Sequence, residues 1–355
     1  MIESKPSKNL FAVEWAMIAY LVLTTLVIVF CYTKVQNPEA MLWGRVRILF
    51  TTAALYAVYR MVPCRLTRLA RVVVQVALLS WWYPDTYELN RMFPNLDHIF
   101  ATWEQQLFGC QPALLFSQLP FLGGDGVGGW GDSLPSFGGV GGWGDSIPSF
   151  GGVGGGIFSE LMDLGYASYY PMIAVVLLYY FFRRYDEFLH ASFVVMASFF
   201  LFYVIFVFLP VVGPTFYYQA VGLDTIMQGV FPNVGDYFNH HTECLPSPGY
   251  TDGFFYHLVE NAKAAGERPT AAFPSSHVGI STILMFLAWH ARDRRLLFIL
   301  LPFYVLLCFS TVYIQAHYAI DALAGLVTGA VFYFVLMYLT TEVKPSKEAG
   351  RKRKS

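Results

Sequence analysis

The run FLHASFVVMASFFLFYVIFVFLPVV, residues Phe188–Val212, decides the fold because it contains no residue that is charged at neutral pH. A helix needs ~20 consecutive apolar residues to cross the hydrocarbon core of a bilayer. Four more charge-free runs of spanning length lie at Trp15–Thr33, Leu164–Phe182, Leu296–Ala316 and Ala322–Thr341. We therefore predict an all-α fold, a polytopic helical bundle embedded in a membrane.

The composition supports this class. Hydrophobic residues make up 56% of the chain and charged residues 13%, and the mean hydropathy is +0.48. Soluble domains carry about 25% charged residues. The net charge is −1, and no nucleic-acid partner is expected.

Shorter apolar runs raise the predicted number of spans to about eight. One follows Pro274 and ends at the cluster Arg292–Arg295, and two weaker ones lie at Ile48–Tyr59 and Val72–Trp82. Arginines flank the two weaker runs and can extend to the membrane interface. Eight spans would place both chain termini on the same side.

The positions of Lys and Arg predict the orientation. All but six of the 23 Lys and Arg residues lie on the side of the termini, and the positive-inside rule identifies that side as cytoplasmic. The eight-span prediction then places His277 and His317 together on the opposite face. No Asn-x-Ser/Thr sequon occurs, which favours a bacterial inner membrane with a periplasmic site, or the lumenal face in a eukaryote.

The segment AAFPSSH, residues Ala271–His277, predicts a helix start with a histidine. Pro274 stops the preceding loop, Ser275 or Ser276 can cap the helix that follows, and His277 lies in its first turn. The unpaired N–H groups of a helix start attract anions. We therefore expect a phosphate bound there to meet His277.

The segment HYAID, residues His317–Asp321, predicts a paired imidazole and carboxylate. Residues four apart share a helix face, so the Asp321 carboxylate can accept a hydrogen bond from one nitrogen of His317. The other nitrogen keeps its lone pair and can attack phosphorus. Lys263 and Arg268, in KAAGERP, are cations suited to phosphate oxygens.

Each of these three segments alone fits a structural role. Together, and in this order along the chain, they resemble the motifs of a known family. Type 2 phosphatidic acid phosphatases and their lipid phosphotransferase relatives carry the motifs KxxxxxxRP, PSGH and SRxxxxxHxxxD. The corresponding segments here are KAAGERP at 263–269, PSSH at 274–277 and STVYIQAHYAID at 310–321. The last two motifs are specific and the first is loose, and the resemblance covers the last six spans.

The resemblance implies the role of each residue. His317 is the nucleophile that forms a phosphohistidine, Asp321 orients it, and His277 protonates the leaving oxygen. The phosphate is held by Lys263, Arg268, Ser275 and Ser276. The implied partners are a phospholipid donor and a lipid acceptor. No metal or other cofactor is implied. The segment HHTEC, His240–Cys244, contains adjacent histidines, but its spacing fits no standard zinc site.

Departures from the family motifs indicate one branch. Thr311 stands where the phosphatases have an arginine, Ser276 replaces a glycine, and the spacer between Lys263 and Arg268 is two residues short. These changes, with GYASYYPM at 165–172 and VVGPTFYY at 211–218, are similar to inositol phosphorylceramide synthases. The resemblance implies transfer of a phosphoinositol-type headgroup to a ceramide-like hydroxyl.

Two alternatives remain at this point. A lipid phosphate phosphatase, acting on phosphatidic acid, isoprenyl or lipid A phosphate, would use water as the acceptor. A membrane scaffold would have no catalytic role, and its Gly-rich repeat would recruit a partner.

Four segments are expected. Residues 1–84 hold a pair of spans and the first core span, 85–163 form an external loop, 164–343 complete the catalytic core, and 344–355 are a basic cytoplasmic tail.

The loop contains a Gly-rich insert at 123–156, in which GVGGWGDSLPSF recurs as GVGGWGDSIPSF. Such glycine density cannot build a packed core, so we expect a mobile linker, with a binding lid as the alternative. Cys110 and Cys244 could form a disulfide if their loops meet.

Overall fold

The computed structural model describes residues 7–118 and 153–341, and the regular elements in these ranges are helices. The helices are α1 Ala12–Phe30, α2 Pro38–Met61, α3 Arg65–Ala77, α4 Leu79–Asn90, α5 Asp97–Phe108, α6 Pro112–Gln118, α7 Val153–Ala167, α8 Tyr169–Arg183, α9 Tyr185–Phe208, α10 Pro214–Val221, α11 Leu223–Met227, α12 Phe254–Gly266, α13 Ser276–His290, α14 Arg294–Tyr313 and α15 Ala319–Thr341, with a 3₁₀ turn at Tyr237–Asn239. Residues 123–152 of the Gly-rich insert and the basic tail lie outside the described residues, so their predicted roles stay predictions.

The predicted helical membrane fold is confirmed. Four described helices, α1, α9, α14 and α15, are long and apolar enough to cross a membrane. Helices α7 and α8, bent by 47° where they meet, together satisfy the same criterion as one broken span. The molecule is a polytopic helical membrane protein.

The other three predicted spans have less regular counterparts. The run Ile48–Tyr59 lies in α2, Val72–Trp82 is divided between α3 and α4, and the run after Pro274 forms α13, which has 15 residues. Length and composition do not qualify these helices as spans among the described residues. The count of eight spans therefore stays a prediction.

The segment predicted as an external loop is largely helical where it is described. Helices α5 and α6 lie in it, together with the end of α4 and most of α7. The segment also contributes to a second hydrophobic cluster, in which Phe100 and Leu114 are buried with Phe216 and Tyr318. This cluster lies beneath the turn that enters α15. Cys110 and Cys244 are free thiols.

Helix α13 lies at the centre of the bundle and packs on α15, α14, α8 and α9. Gly279 of α13 and the glycines Gly325 and Gly329 of α15 allow the close approach of the two helices. A Cβ at Gly325 would overlap the Ser275 carbonyl, and one at Gly329 would overlap the Gly279 carbonyl. Small residues at such contacts are a common way for membrane helices to approach closely.

A buried ion pair joins α1 to α3. The Arg71 guanidinium donates from Nε to Glu14 Oε1 over 2.7 Å, and a second bond runs from Arg71 Nη2 to Glu14 Oε2. Arg71 is 1% exposed and Glu14 is 1% exposed. The guanidinium also lies 3.6 Å from the centroid of the Phe11 ring. The two helices are thus fixed by charges that have no access to water.

We expect Arg71→Met to destabilise the protein strongly, by about 3–5 kcal/mol, because Glu14 would remain buried without its partner. The double variant Glu14→Leu/Arg71→Met should recover much of the loss, because neither charge is then buried unpaired. Thermal unfolding in detergent measures both. Equal destabilisation of the single and double variants would contradict a role for the ion pair.

Candidate active site

The predicted helix start at the first histidine is confirmed. Helix α13 begins at Ser276, and the side chain of Ser275 accepts a hydrogen bond from Val278 N over 3.3 Å. Ser275 is therefore the N-cap, and His277 lies in the first turn. The ring of His277 faces the turn that contains His317.

His317 lies in the turn between α14 and α15, and both of its nitrogens have partners. Nδ1 lies 2.8 Å from the Ala272 carbonyl oxygen, so the hydrogen-bond geometry assigns the proton to Nδ1. Nε2 lies 3.3 Å from His277 Nδ1. The lone pair of His317 Nε2 is therefore directed towards His277.

The surroundings of His317 favour its neutral form. Its side chain is buried, and this burial lowers the pKa of His317 to about 4, against the opposing effects of the Ala272 hydrogen bond and the Glu267 charge. An imidazole with that pKa is unprotonated at neutral pH. Nucleophilic attack requires this state.

Asp321 does not make the hydrogen bond that its spacing predicts. Its Oδ2 lies 3.8 Å from His317 Nδ1, too far for a hydrogen bond, and accepts instead from Tyr318 N over 2.9 Å. His317 precedes the first residue of α15, so the two residues do not share a helix face. The Ala272 carbonyl provides the orienting hydrogen bond, and the buried Asp321 carboxyl lies nearby without bonding to the ring.

Backbone contacts fix the two motifs to each other. Ser275 N donates to the Asp321 carbonyl oxygen over 3.0 Å. At the other side of the site, Thr215 N donates to the Gln315 carbonyl oxygen over 2.8 Å, and a Cβ at Gly213 would overlap the Ala316 carbonyl. The segment VVGPTFYY is therefore packed against the turn that carries His317.

Two tyrosines cover His277. The Tyr166 ring stacks on it with centroids 4.8 Å apart, and the Tyr169 ring lies 4.4 Å away. Both tyrosines belong to the segment GYASYYPM. Aromatic rings on this side of the histidine pair restrict the access of water.

The two predicted phosphate-binding cations differ in their surroundings. Lys263 is buried, and its Nζ donates to the Leu245 carbonyl, to Glu260 and to Ser247 over 2.9, 3.0 and 3.3 Å. Its three protons are thus used by the protein. Arg268 is half-buried and, in the described part of the chain, its guanidinium makes one hydrogen bond, to the Glu267 carbonyl over 3.1 Å.

Lys263 and Arg268 line a cleft of about 310 Å³. Its wall also includes Thr242, Cys244, Phe216, Ala264 and three carboxylates, Glu243, Glu260 and Glu267. Burial raises the pKa of Glu267, and the charge of Lys263 opposes this effect. The charge of Glu267 acts to raise the pKa of His317, so a residue of the cleft influences the histidine pair.

Sequence reasoning missed two buried acids from α5. Asp97 accepts hydrogen bonds from Val212 N, Gly213 N and the Tyr318 hydroxyl over 2.7, 2.9 and 3.1 Å. Glu104 accepts one from Ala319 N over 2.6 Å. The sequence offered one signal for them, because a spacing of seven residues places Asp97 and Glu104 on the same face of a helix.

This geometry defines a class of protein: a helical membrane protein in which two histidines at helix starts face each other. The chain belongs to the PAP2 superfamily, because the model of that superfamily matches residues 156–335, about half of the chain. Enzymes of this superfamily are phosphatases or phosphotransferases. This protein is therefore a membrane phosphatase or phosphotransferase. Searches of curated proteins and of solved structures found no match.

The family match extends from α7 into α15 and includes both histidine motifs. Helices α1 to α6 lie outside it. The acids of α5 that hold the turn before α15 are therefore contributed by a part of the chain that the family model does not include.

We expect Gly325→Ala to reduce kcat by about 10²-fold, because the new methyl group would displace the Ser275 carbonyl and with it the start of α13. Gly266→Ala is the matched control, since no atom lies within 4 Å of its added Cβ. Steady-state kinetics with a lipid phosphate substrate measures both variants. A wild-type kcat for Gly325→Ala would show that the close approach of α13 and α15 does not position the histidines.

Proposed function

We propose that this enzyme is a lipid phosphotransferase that moves a phosphoinositol-type headgroup to the hydroxyl of a ceramide-like lipid through a phosphohistidine at His317. The observation that carries the proposal is the geometry of the histidine pair. His317 is neutral, is oriented by the Ala272 carbonyl over 2.8 Å, and directs Nε2 to within 3.3 Å of His277 Nδ1.

In the first step, His317 Nε2 attacks the phosphorus of the donor phospholipid. Burial and the neighbouring His317 lower the pKa of His277 to about 3 in the free site, and the bound anionic phosphate raises it so that His277 takes up a proton with the substrate. A P–N bond then forms, the ester bond to the diacylglycerol oxygen breaks, and His277 donates that proton to the oxygen. Asp321, 3.8 Å from His317 Nδ1, stabilises the positive charge that develops on the imidazole. Diacylglycerol leaves, and the phosphoinositol group stays on His317.

In the second step, the hydroxyl of the acceptor lipid attacks the same phosphorus. His277, now unprotonated, removes the hydroxyl proton as the new P–O bond forms, and the P–N bond breaks. Both histidines return to their starting states. Each step uses His277 in the opposite direction, as a general acid and then as a general base.

Two features of the site support a lipid acceptor over water. Tyr166 and Tyr169 cover His277. Thr311, which stands in place of the phosphatase arginine, is fully buried and its hydroxyl donates to the Cys308 carbonyl over 3.0 Å. The site thus lacks, at this position, a cation that would stabilise a phosphate monoester dianion.

The cleft beside the site supports a polyhydroxylated headgroup. The carboxylates of Glu243, Glu260 and Glu267 can accept hydrogen bonds from hydroxyl groups. Arg268, on the same wall, has donors for a phosphate oxygen. In the proposed site, Arg268, the Ser276 hydroxyl and the backbone N–H groups at the start of α13 bind the phosphate.

The proposal includes a location. The distribution of Lys and Arg along the chain supports a site on the non-cytoplasmic face. In a bacterial inner membrane this is the periplasmic face, and in a eukaryotic membrane the lumenal one.

Assay of the purified enzyme with labelled phosphatidylinositol and ceramide tests the transfer. We expect a labelled phosphoinositol sphingolipid and an equal amount of diacylglycerol. A panel of phosphatidic acid, isoprenyl phosphate and lipid A, without an acceptor, tests hydrolysis. Free phosphate from any of these, with no labelled sphingolipid, would contradict the transferase proposal and favour a phosphatase.

We expect His317→Ala to abolish turnover and the incorporation of label from the donor, because no nitrogen remains to form the P–N bond. Asp321→Asn should lower kcat by about 10²-fold or more while the label still accumulates on His317. Acid-labile, base-stable labelling of the protein measures the intermediate. Normal turnover by a correctly inserted His317→Ala protein would exclude the phosphohistidine and favour the scaffold alternative.

A further inference from the structure

The carboxylate of Glu267 is not used by the protein itself in the part of the chain that the structure describes. Glu267 is half-buried and lines the cleft of about 310 Å³. Within residues 7–118 and 153–341, no hydrogen bond or ion pair joins its side chain to another group. The other two carboxylates of the cleft differ, because Glu260 bonds to Ser247 and Lys263, and Glu243 is exposed to solvent. Glu267 is thus the half-buried acid of the cleft whose oxygens are left for a ligand.

The two cations of the cleft do not pair with this carboxylate. Lys263 Nζ donates three hydrogen bonds, and none of them goes to Glu267. Arg268, the next residue, donates from Nη1 to the backbone carbonyl of Glu267 over 3.1 Å, and no ion pair joins the two side chains among the described residues. The cleft wall therefore presents a guanidinium and a carboxylate from adjacent residues, and both can still bind a ligand.

Glu267 lies where the cleft meets the histidine pair. Its charge interacts with His317 and with the phenol of Tyr166. The Tyr166 ring in turn stacks on His277 with centroids 4.8 Å apart. The carboxylate is thus close enough to influence the nucleophile and the aromatic cover of the acid.

A short stretch of backbone connects Glu267 to the nucleophile. Thr270 N donates to the Arg268 carbonyl oxygen over 2.7 Å, which makes a tight turn after Glu267. The carbonyl of Ala272, just beyond this turn, lies 2.8 Å from His317 Nδ1. In the proposed mechanism the phosphorus lies at His317 and a phosphate oxygen at Arg268, so the headgroup on that phosphorus extends into the cleft that Glu267 lines.

A carboxylate in this position can select a headgroup by its hydrogen-bond donors. An ionised carboxylate only accepts hydrogen bonds, and bonds to a charged acceptor are stronger than bonds between neutral groups. A headgroup without a donor would displace water from the carboxylate and leave it unpaired. Sites that bind a substrate hydroxyl for this reason strongly reject the analogue that lacks it.

We propose that Glu267 determines the choice of donor headgroup, because its carboxylate accepts a hydrogen bond from a hydroxyl of that headgroup while Arg268 binds the phosphate. The inference rests on the proposed function, in which a headgroup stays attached to the phosphorus during transfer. An ammonium group is the other donor that a carboxylate can bind. The described wall of the cleft has one aromatic residue, Phe216, and so does not form the aromatic cage typical of quaternary ammonium sites.

Calorimetric titration of the purified full chain in amphipol with three short-chain lipids tests the proposal. The probes are dihexanoyl phosphatidylinositol, dihexanoyl phosphatidylethanolamine and dihexanoyl phosphatidylmethanol, which is a diester of the same charge as the inositol lipid but has no headgroup hydroxyl. We expect wild type to bind the inositol lipid about tenfold more tightly than the methanol lipid. Glu267→Ala should reduce this preference to about twofold or less and leave the Kd of the methanol lipid unchanged.

Two further variants serve as controls. Glu267→Gln has nearly the same shape, and its amide oxygen accepts a weaker hydrogen bond, so its preference should lie between those of wild type and Glu267→Ala. Asp252→Asn makes the same acid-to-amide change at an exposed position outside the cleft wall and should match wild type. Thermal unfolding shows which variants are folded. If Glu267→Ala does not fold, a wild-type preference in Glu267→Gln overturns the proposal.

Three results would contradict the role of Glu267. Wild type could show no preference between the inositol and methanol lipids, or Glu267→Ala could weaken the binding of both equally, as a structural or phosphate-binding role predicts. A wild-type preference for the ethanolamine lipid that Glu267→Gln abolishes would identify an ammonium site in place of the hydroxyl site.

The titration separates this inference from the proposed function because binding needs no turnover. Loss of the preference in Glu267→Ala, with no labelled sphingolipid in the transfer assay, would contradict only the proposed transfer. Transfer by wild type, with an unaltered preference in Glu267→Ala, would contradict only the role of Glu267.

Discussion

The close approach of α13 and α15 is the constraint on which the site depends. Helices in a membrane gain little from burying apolar surface against each other, so contact between them depends on shape and on polar groups. Here Gly279, Gly325 and Gly329 remove the side chains that would keep the helices apart. The approach permits the hydrogen bond from Ser275 N to the Asp321 carbonyl, and this bond fixes the two helix starts at which the histidines lie. This backbone packing brings His317 Nε2 to 3.3 Å from His277 Nδ1, with the ring centroids 5.5 Å apart.

The local parts of the site could be predicted from the sequence. Pro274 and Ser275 encode the start of α13 within a few residues, and the structure begins that helix at Ser276. The apolar runs likewise predicted α9, α14 and α15. The orienting partner of His317 could not be predicted, because the Ala272 carbonyl is 45 residues away along the chain and a carbonyl leaves no signal in the sequence. The i, i+4 spacing suggested Asp321 instead, since it assumed that His317 was already helical.

The acids of α5 show a second limit of sequence reasoning. Asp97 and Glu104 lie in a stretch that has no long apolar run, so hydropathy alone describes it as an external loop. The structure buries both acids completely, and their partners include the backbone N–H groups of Val212, Gly213 and Ala319. Such bonds repay part of the cost of burying a carboxylate. Through them, the segment before the family match satisfies N–H groups of the two turns that surround His317.

The balance of charge around His317 connects the fold with the chemistry. A nucleophilic imidazole must be neutral before attack and cationic after it, so its surroundings should exclude water and still supply one negative charge. His317 is only 3% exposed, which meets the first condition, and in the proposed mechanism the Asp321 carboxyl, 3.8 Å from His317 Nδ1, meets the second. The fold reaches the chemistry through the turn before α15, where Asp321 and Glu104 accept from the consecutive N–H groups of Tyr318 and Ala319, directly after His317.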